Sequence, residues 1–201
     1  MNLLDDCFAA NRRWAESTTA KDPGFFKRLE ALQNPELLWI GCSDSRLPPN
    51  DIIGRAPGEL LVHRNVGNLV EHTDVNCLSV LQYAIDVLDV KHVIVCGHYG
   101  CGGIRAVLDG SRHGLVEHWL APVRDLYLTH HEELARLPSD EARADRVCEL
   151  NVGAQVQSLC HSPIVRNAWE RRQELRVHGW IYRLTDGRLH DLECAPGSGI
   201  T

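Results

Sequence analysis

The chain has 201 residues, of which 44% are apolar and 24% charged, enough for one domain with a substantial core. Its formal net charge of −6 offers no basic footprint, so nucleic acid is excluded as a partner. The longest apolar runs, LLWIG and HVIVCG, fall far short of the ~20 residues of a membrane helix, and no apolar leader follows Met1; a soluble cytoplasmic protein with no membrane partner is expected.

Leu3, Leu4, Phe8 and Trp14 recur at helical spacing and predict an amphipathic first helix. The stretch PGFFKRLEAL predicts a second helix, with Pro23 near its start. Residues 1–34 thus read as a helical arm, outside the alternation that follows and suited to wrapping a partner subunit. Residues 35–201 read as the α/β core of a single domain. Strands are expected at 36–41 (ELLWIG) and 58–66 (GELLVHRNV). A long helix follows, with Thr73 as N-cap and apolar residues at 75, 78, 81, 85 and 88. The β-branched run KHVIVCG (91–97) predicts a central parallel strand, and CGGIRAVLDG opens a further helix. The region 115–169 is helix-rich, with breaks near Pro138 and Pro163. LRVHGWIYRL and GRLHDLEC then read as two strands joined by TDG. The fold class is α/β: a mainly parallel central sheet with an antiparallel C-terminal edge, flanked by helices.

The eight cysteines are Cys7, Cys42, Cys77, Cys96, Cys101, Cys148, Cys160 and Cys194. In a chain of this size without a secretory signal, reduced or metal-bound cysteine is the expectation. Cys77, Cys148 and Cys160 fall in helical patterns and Cys96 within a strand, where each reads as a small buried hydrophobe.

Cys42 in GCSDSR, and His98 and Cys101 in CGHYGCGG, stand where apolar strands end. In open parallel sheets functional groups gather outside the carboxyl ends of the strands. A Cys2His set is a recognised zinc combination, and three ligands with an open fourth position is the catalytic pattern. If the strand continues past Cys42, then Cys42, Asp44 and Arg46 share one face. Asp44 would then compete for the fourth metal position, while a bidentate pair with Arg46 would hold it away. Aspartate on the metal closes such a site; aspartate on arginine opens it to water. The plainer alternative is an ion pair that only steadies the loop. The glycines after Cys101 open a helix whose free N–H groups suit an anion or a developing oxyanion.

CSDSR followed by GHYGCGG resembles the β-class carbonic anhydrases, and the likeness extends through LVHRNVGN, NCLSVLQYA, PIVRNAWER and HGWIY. The resemblance implies interconversion of carbon dioxide and water with bicarbonate and a proton. It implies one Zn2+ per chain on Cys42, His98 and Cys101, joined by Asp44 in the closed state only. Asp44 and Arg46 would be the catalytic dyad. It also implies N-terminal helices that embrace a neighbour in a homodimer or homotetramer.

A bacterial subset of that family holds a non-catalytic bicarbonate on a Trp, Arg, Tyr trio, which favours the closed site and makes activity steeply pH-dependent. Trp39, Arg64 and Tyr182 are similar to that trio, and Gly41 to a small residue that leaves it room. Leu47 departs from the valine often found there. By the same resemblance Gln33, reaching over from a neighbouring subunit, Tyr83 and Gly102 would line the substrate pocket. His63 and His113 are candidate proton shuttles, with nothing to select between them. Two other readings remain open: a related zinc hydrolase acting on carbon disulfide, and a non-catalytic zinc-stabilised assembly module.

Overall fold

The computed structural model describes residues 2–31 and 34–194. The chain divides into two compact units, 1–34 and 35–201. The first contains α1 (Leu3–Lys21) and α2 (Phe25–Ala31). Asn2 caps α1 by accepting the Leu4 N–H at 3.3 Å, and Asp22 and Arg28 form an ion pair. The Trp14 and Phe26 rings meet edge-on at 5.5 Å. Leu3, Leu4, Phe8 and Trp14 are all exposed, between 54 and 75%.

The second unit is built on a five-stranded sheet in the order β2-β1-β3-β4-β5. Strands β1 (Leu37–Cys42), β2 (Leu60–Asn65), β3 (His92–His98) and β4 (Arg176–Tyr182) are parallel, and β5 (Leu189–Asp191) joins β4 antiparallel. The predicted mainly parallel sheet with an antiparallel C-terminal edge is therefore present. Leu38 to Ile40 and Val93 to Cys96 are at most 2% exposed, as expected for strands covered on both faces. The register sets Cys42 beside Asn65, Gly41 beside Cys96, and His98 beside Tyr182. Four strand ends thus meet at one edge of the sheet, where β-to-α connections begin.

The flanking helices are α3 (Pro49–Ile53), α4 (Val75–Gln82), α5 (Gly102–Leu108), α6 (Leu115–Trp119), α7 (Ala121–Thr129), α8 (His131–Ala135), α9 (Asp140–His161) and α10 (Pro163–Glu170). Ser139, directly after Pro138, caps α9, and Ser162 before Pro163 caps α10, so both predicted breaks are real. Helix α9 buries Val147, Val152, Val156 and Leu159 completely, each contributing about 1.5–3 kcal/mol of transfer free energy. It lies so close to the sheet that a Cβ on Gly97 would come 2.7 Å from Val152 Cγ2. Two polar residues, Asn151 and Gln155, sit on the same buried face.

Two local expectations are corrected. The N-cap of α4 is Asp74 rather than Thr73: its carboxylate accepts the Asn76 N–H at 3.1 Å. The helix predicted to run on through 88 is α-helical only to Gln82, and Tyr83–Val87 forms a π-turn. Leu88 N–H reaches back to the Tyr83 carbonyl at 3.1 Å, a five-residue step that widens the last turn. No helix among the described residues is long and apolar enough to cross a membrane.

Candidate metal centre and active site

Cys42 ends β1, His98 ends β3, and Cys101 stands at the N-cap of α5 after a turn made by Gly100 at φ +70°. Their sulfur and ring-nitrogen atoms all lie within 4.8 Å of one another, and the two Sγ atoms are 3.7 Å apart. All three residues are at most 3% exposed. Among the described residues, His98 Nε2 is a buried nitrogen without a hydrogen-bond partner. The ring is oriented by Nδ1–H, which donates to the Tyr99 carbonyl at 3.2 Å and leaves the Nε2 lone pair free. A buried polar atom left unpaired costs about 1–3 kcal/mol, a penalty that a metal bond removes. Two thiols and a free imidazole lone pair fit zinc, with three protein ligands and a fourth position open.

Cys42 is held well below the ordinary thiol range, first by the Cys101 thiol and also by the Gly67 and Asp44 N–H groups, against the cost of burial. Cys101 is pushed up, by its bond to Cys42 and by burial. Both N–H groups lie 3.3 Å from Cys42 Sγ. A dication would deprotonate both thiols.

Asp44 lies beside this cluster by a route other than strand alternation. The chain turns immediately after Cys42, whose carbonyl accepts the Ser45 N–H at 3.2 Å. That turn, and not a shared strand face, sets Asp44 against Arg46. Asp44 Oδ1 is 3.5 Å from Arg46 Nη2, and Asp44 Oδ2 accepts the Gly102 N–H at 2.7 Å. The pair is partly solvated and worth only about 0–1 kcal/mol, so its weight is orientational. A side chain at Gly102 would place a Cβ 3.2 Å from Asp44 Oδ2.

The 43–47 loop is fastened from β2. Arg64 donates to the carbonyls of Cys42 at 3.3 Å, Ser45 at 3.0 Å and Leu47 at 2.6 Å. Tyr182 hydrogen-bonds through its hydroxyl to the Ser45 hydroxyl. Burial pushes the Tyr182 phenol up. Trp39 and Tyr182 share an apolar cluster with Ile94 and Cys96, against which Leu47 packs. The indole folds back over Gly41, where a Cβ would meet Trp39 Nε1 at 2.6 Å. Arg64 and Tyr182 therefore converge on one loop, with Trp39 beneath it.

Of the other predicted pocket residues, Tyr83 is 42% exposed at the start of the π-turn. Gln33 lies outside the described residues. His63 is 7% exposed and burial lowers its pKa, which suits a neutral core imidazole better than a shuttle. His63, Asp74 and Cys77 form a second group with ligand atoms within 4.8 Å of one another. It differs from the first in kind. Asp74 is engaged as a helix cap, Asn65 Nδ2 donates to His63 Nε2 at 3.4 Å, and burial holds the Cys77 thiol up at about 12. The sequence reading missed the N–H of Gly67 on Cys42; the glycine in HRNVGN, at φ +82°, was its one available mark.

An α/β chain with a three-ligand cluster of catalytic type at its strand ends is a metalloenzyme scaffold. The family described as Carbonic anhydrase matches residues 37–189. A carbonic anhydrase of Emericella nidulans is 44% identical over 188 residues, covering 94% of this chain and 82% of that protein. One of two tetrameric β-carbonic anhydrases from Sordaria macrospora superposes with a TM-score of 0.91 at 39% identity, covering 96% and 98% of the two chains. The Coccomyxa β-carbonic anhydrase solved with acetazolamide gives 0.88 at 42% identity, covering 96% and 87%. The chain belongs to the β-class carbonic anhydrase family, and its enzyme class is carbonate dehydratase, a lyase.

Proposed function

We propose that Cys42, His98 and Cys101 hold one zinc ion and that Asp44 and Arg46 are the catalytic dyad for reversible hydration of carbon dioxide. The observation that carries this is the partnerless His98 Nε2 facing two sulfurs, with the Asp44 carboxylate pinned alongside by Arg46 and Gly102. Zinc, when bound, supplies the Lewis acidity that makes water nucleophilic near neutral pH. Asp44 accepts a hydrogen bond from the attacking water and aims its oxygen lone pair at carbon. Arg46 and the Gly102 N–H hold the carboxylate turned away from the fourth metal position. The overall change is CO2 and H2O to bicarbonate and a proton, which leaves for solvent. Stopped-flow hydration by the zinc-loaded protein tests the reading; a zinc-replete chain without turnover overturns it.

The finer reading is regulation by bicarbonate at Trp39, Arg64 and Tyr182, as in the bacterial subset that the sequence resembles. Arg64 supports it, because its donors are engaged by loop carbonyls in the arrangement where Asp44 faces Arg46. A planar anion competing for that guanidinium would release the loop and let Asp44 close the site. For assembly, a homodimer or homotetramer built through the 1–34 arm is supported by the exposed apolar residues of α1 and by the tetrameric Sordaria relatives. Residues 1–201 act as one functional domain in the cytoplasm; cysteines free of disulfide partners accord with that compartment.

A further inference from the structure

The sulfur of Cys42 stands at the end of a chain of aligned dipoles. Trp119 Nε1–H donates to the Val66 carbonyl at 2.6 Å. That carbonyl belongs to the same peptide unit as the Gly67 N–H, which donates to Cys42 Sγ at 3.3 Å. The next peptide is fixed as firmly. Asn151 Nδ2 donates to the Gly67 carbonyl at 2.8 Å, Gln155 Nε2 to Asn151 Oδ1 at 3.0 Å, and the Val70 N–H to Gln155 Oε1 at 2.8 Å. Asn151 and Gln155 are 1% and 2% exposed on a helix face that is otherwise apolar. Burying two amides there is costly unless each is bonded, and here both are bonded, to each other and to the 67–70 backbone.

We propose that Trp119 is a positioning residue that sets the donor strength of the Cys42 thiolate through the Val66–Gly67 peptide, and that Asn151, bonded to the Gly67 carbonyl, holds that N–H on the sulfur. Hydrogen bonds in series polarise one another, so an indole donor on the Val66 carbonyl strengthens the N–H aimed at sulfur. An N–H to a thiolate withdraws electron density from it, and groups around a metal ligand tune the metal as well as orient the ligand. Gly67 at φ +82° lets both peptides face these partners in succession. The inference rests on the reading of Cys42 as a metal ligand.

The test is cobalt substitution of the full-length protein. Wild-type protein should show a thiolate-to-cobalt charge-transfer band; without it, the metal-site reading itself fails. Trp119→Phe keeps a ring and removes only the indole donor. It should move that band to lower energy, because the less polarised sulfur gives up charge more easily. Trp169→Phe is the control, since Trp169 Nε1–H also donates to a backbone carbonyl, that of Leu175 at 2.9 Å, away from the site. It should lose comparable stability with the band unmoved. Asn151→Ser, too short to reach the Gly67 carbonyl, should shift the band in the same direction as Trp119→Phe. A normal band in Trp119→Phe, or an equal shift in Trp169→Phe, overturns the proposal.

Discussion

Asp44 accepts the N–H of Gly102, the first residue of α5, at 2.7 Å, and so ties the loop after β1 to the helix that follows Cys101. That bond, with Arg46 on the other oxygen, keeps the carboxylate out of the three-residue cluster. An amide at this position keeps the shape but loses the acceptor charge. Asp44→Asn is therefore expected to lower kcat for carbon dioxide hydration by about 10²–10⁴-fold, the usual weight of a positioned general base. Stopped-flow hydration on zinc-replete variant checks it, and near-normal turnover would remove Asp44 from the mechanism.

The metal centre should also be visible as stability. Purified protein is expected to contain about one zinc per chain. His98→Ala or Cys42→Ala should lower that content well below one, measured by metal analysis. Chelation of the wild type should lower its melting temperature, because a metal that binds only the folded chain stabilises it by mass action. A full zinc complement in His98→Ala would place the metal elsewhere.

The three proposed ligands are legible in the sequence because each ends or closely follows an apolar run, and a parallel sheet brings such ends together. Asp44 and Arg46 are legible as partners but not in geometry. A turn held by the Cys42 carbonyl does what strand alternation was expected to do. Thr73 and Asp74 are adjacent residues of capping type, and the stronger N-cap preference of Asp over Thr favours the residue that the fold uses. The roles of Gly67, Trp119 and Asn151 are harder still. They act through backbone N–H and C=O groups, which every residue carries, so only the folded chain reveals which sulfur or carbonyl each one meets.

Regulation makes a prediction about pH. In the proposed scheme hydroxide and the Asp44 carboxylate would compete for the fourth metal position, so raising pH would favour the open arrangement by mass action and acidification would favour closure. If bicarbonate at Arg64 promotes closure, hydration rates should fall steeply as pH drops, and more steeply with added bicarbonate. Trp39→Val removes one wall of the proposed anion site and should flatten both responses while leaving the high-pH rate within a few-fold of wild type. Identical rate–pH curves for variant and wild type would eliminate the second bicarbonate site.

The seat of α9 on the sheet brings Asn151 and Gln155 to the 67–70 backbone. A Cβ at Gly97 would come 2.7 Å from Val152 Cγ2, closer than packed carbon atoms allow. Gly97→Ala is expected to destabilise the fold by about 1–3 kcal/mol through overpacking, read by urea unfolding. The cause is separable from a backbone effect with a second substitution. Val152→Ala removes the opposing methyls, so the double variant should be less destabilised than the two single effects added, by about 0.5–3 kcal/mol. Simple additivity would mean that the helix and sheet relax apart without strain, and that the contact between Gly97 and Val152 does not set the position of α9.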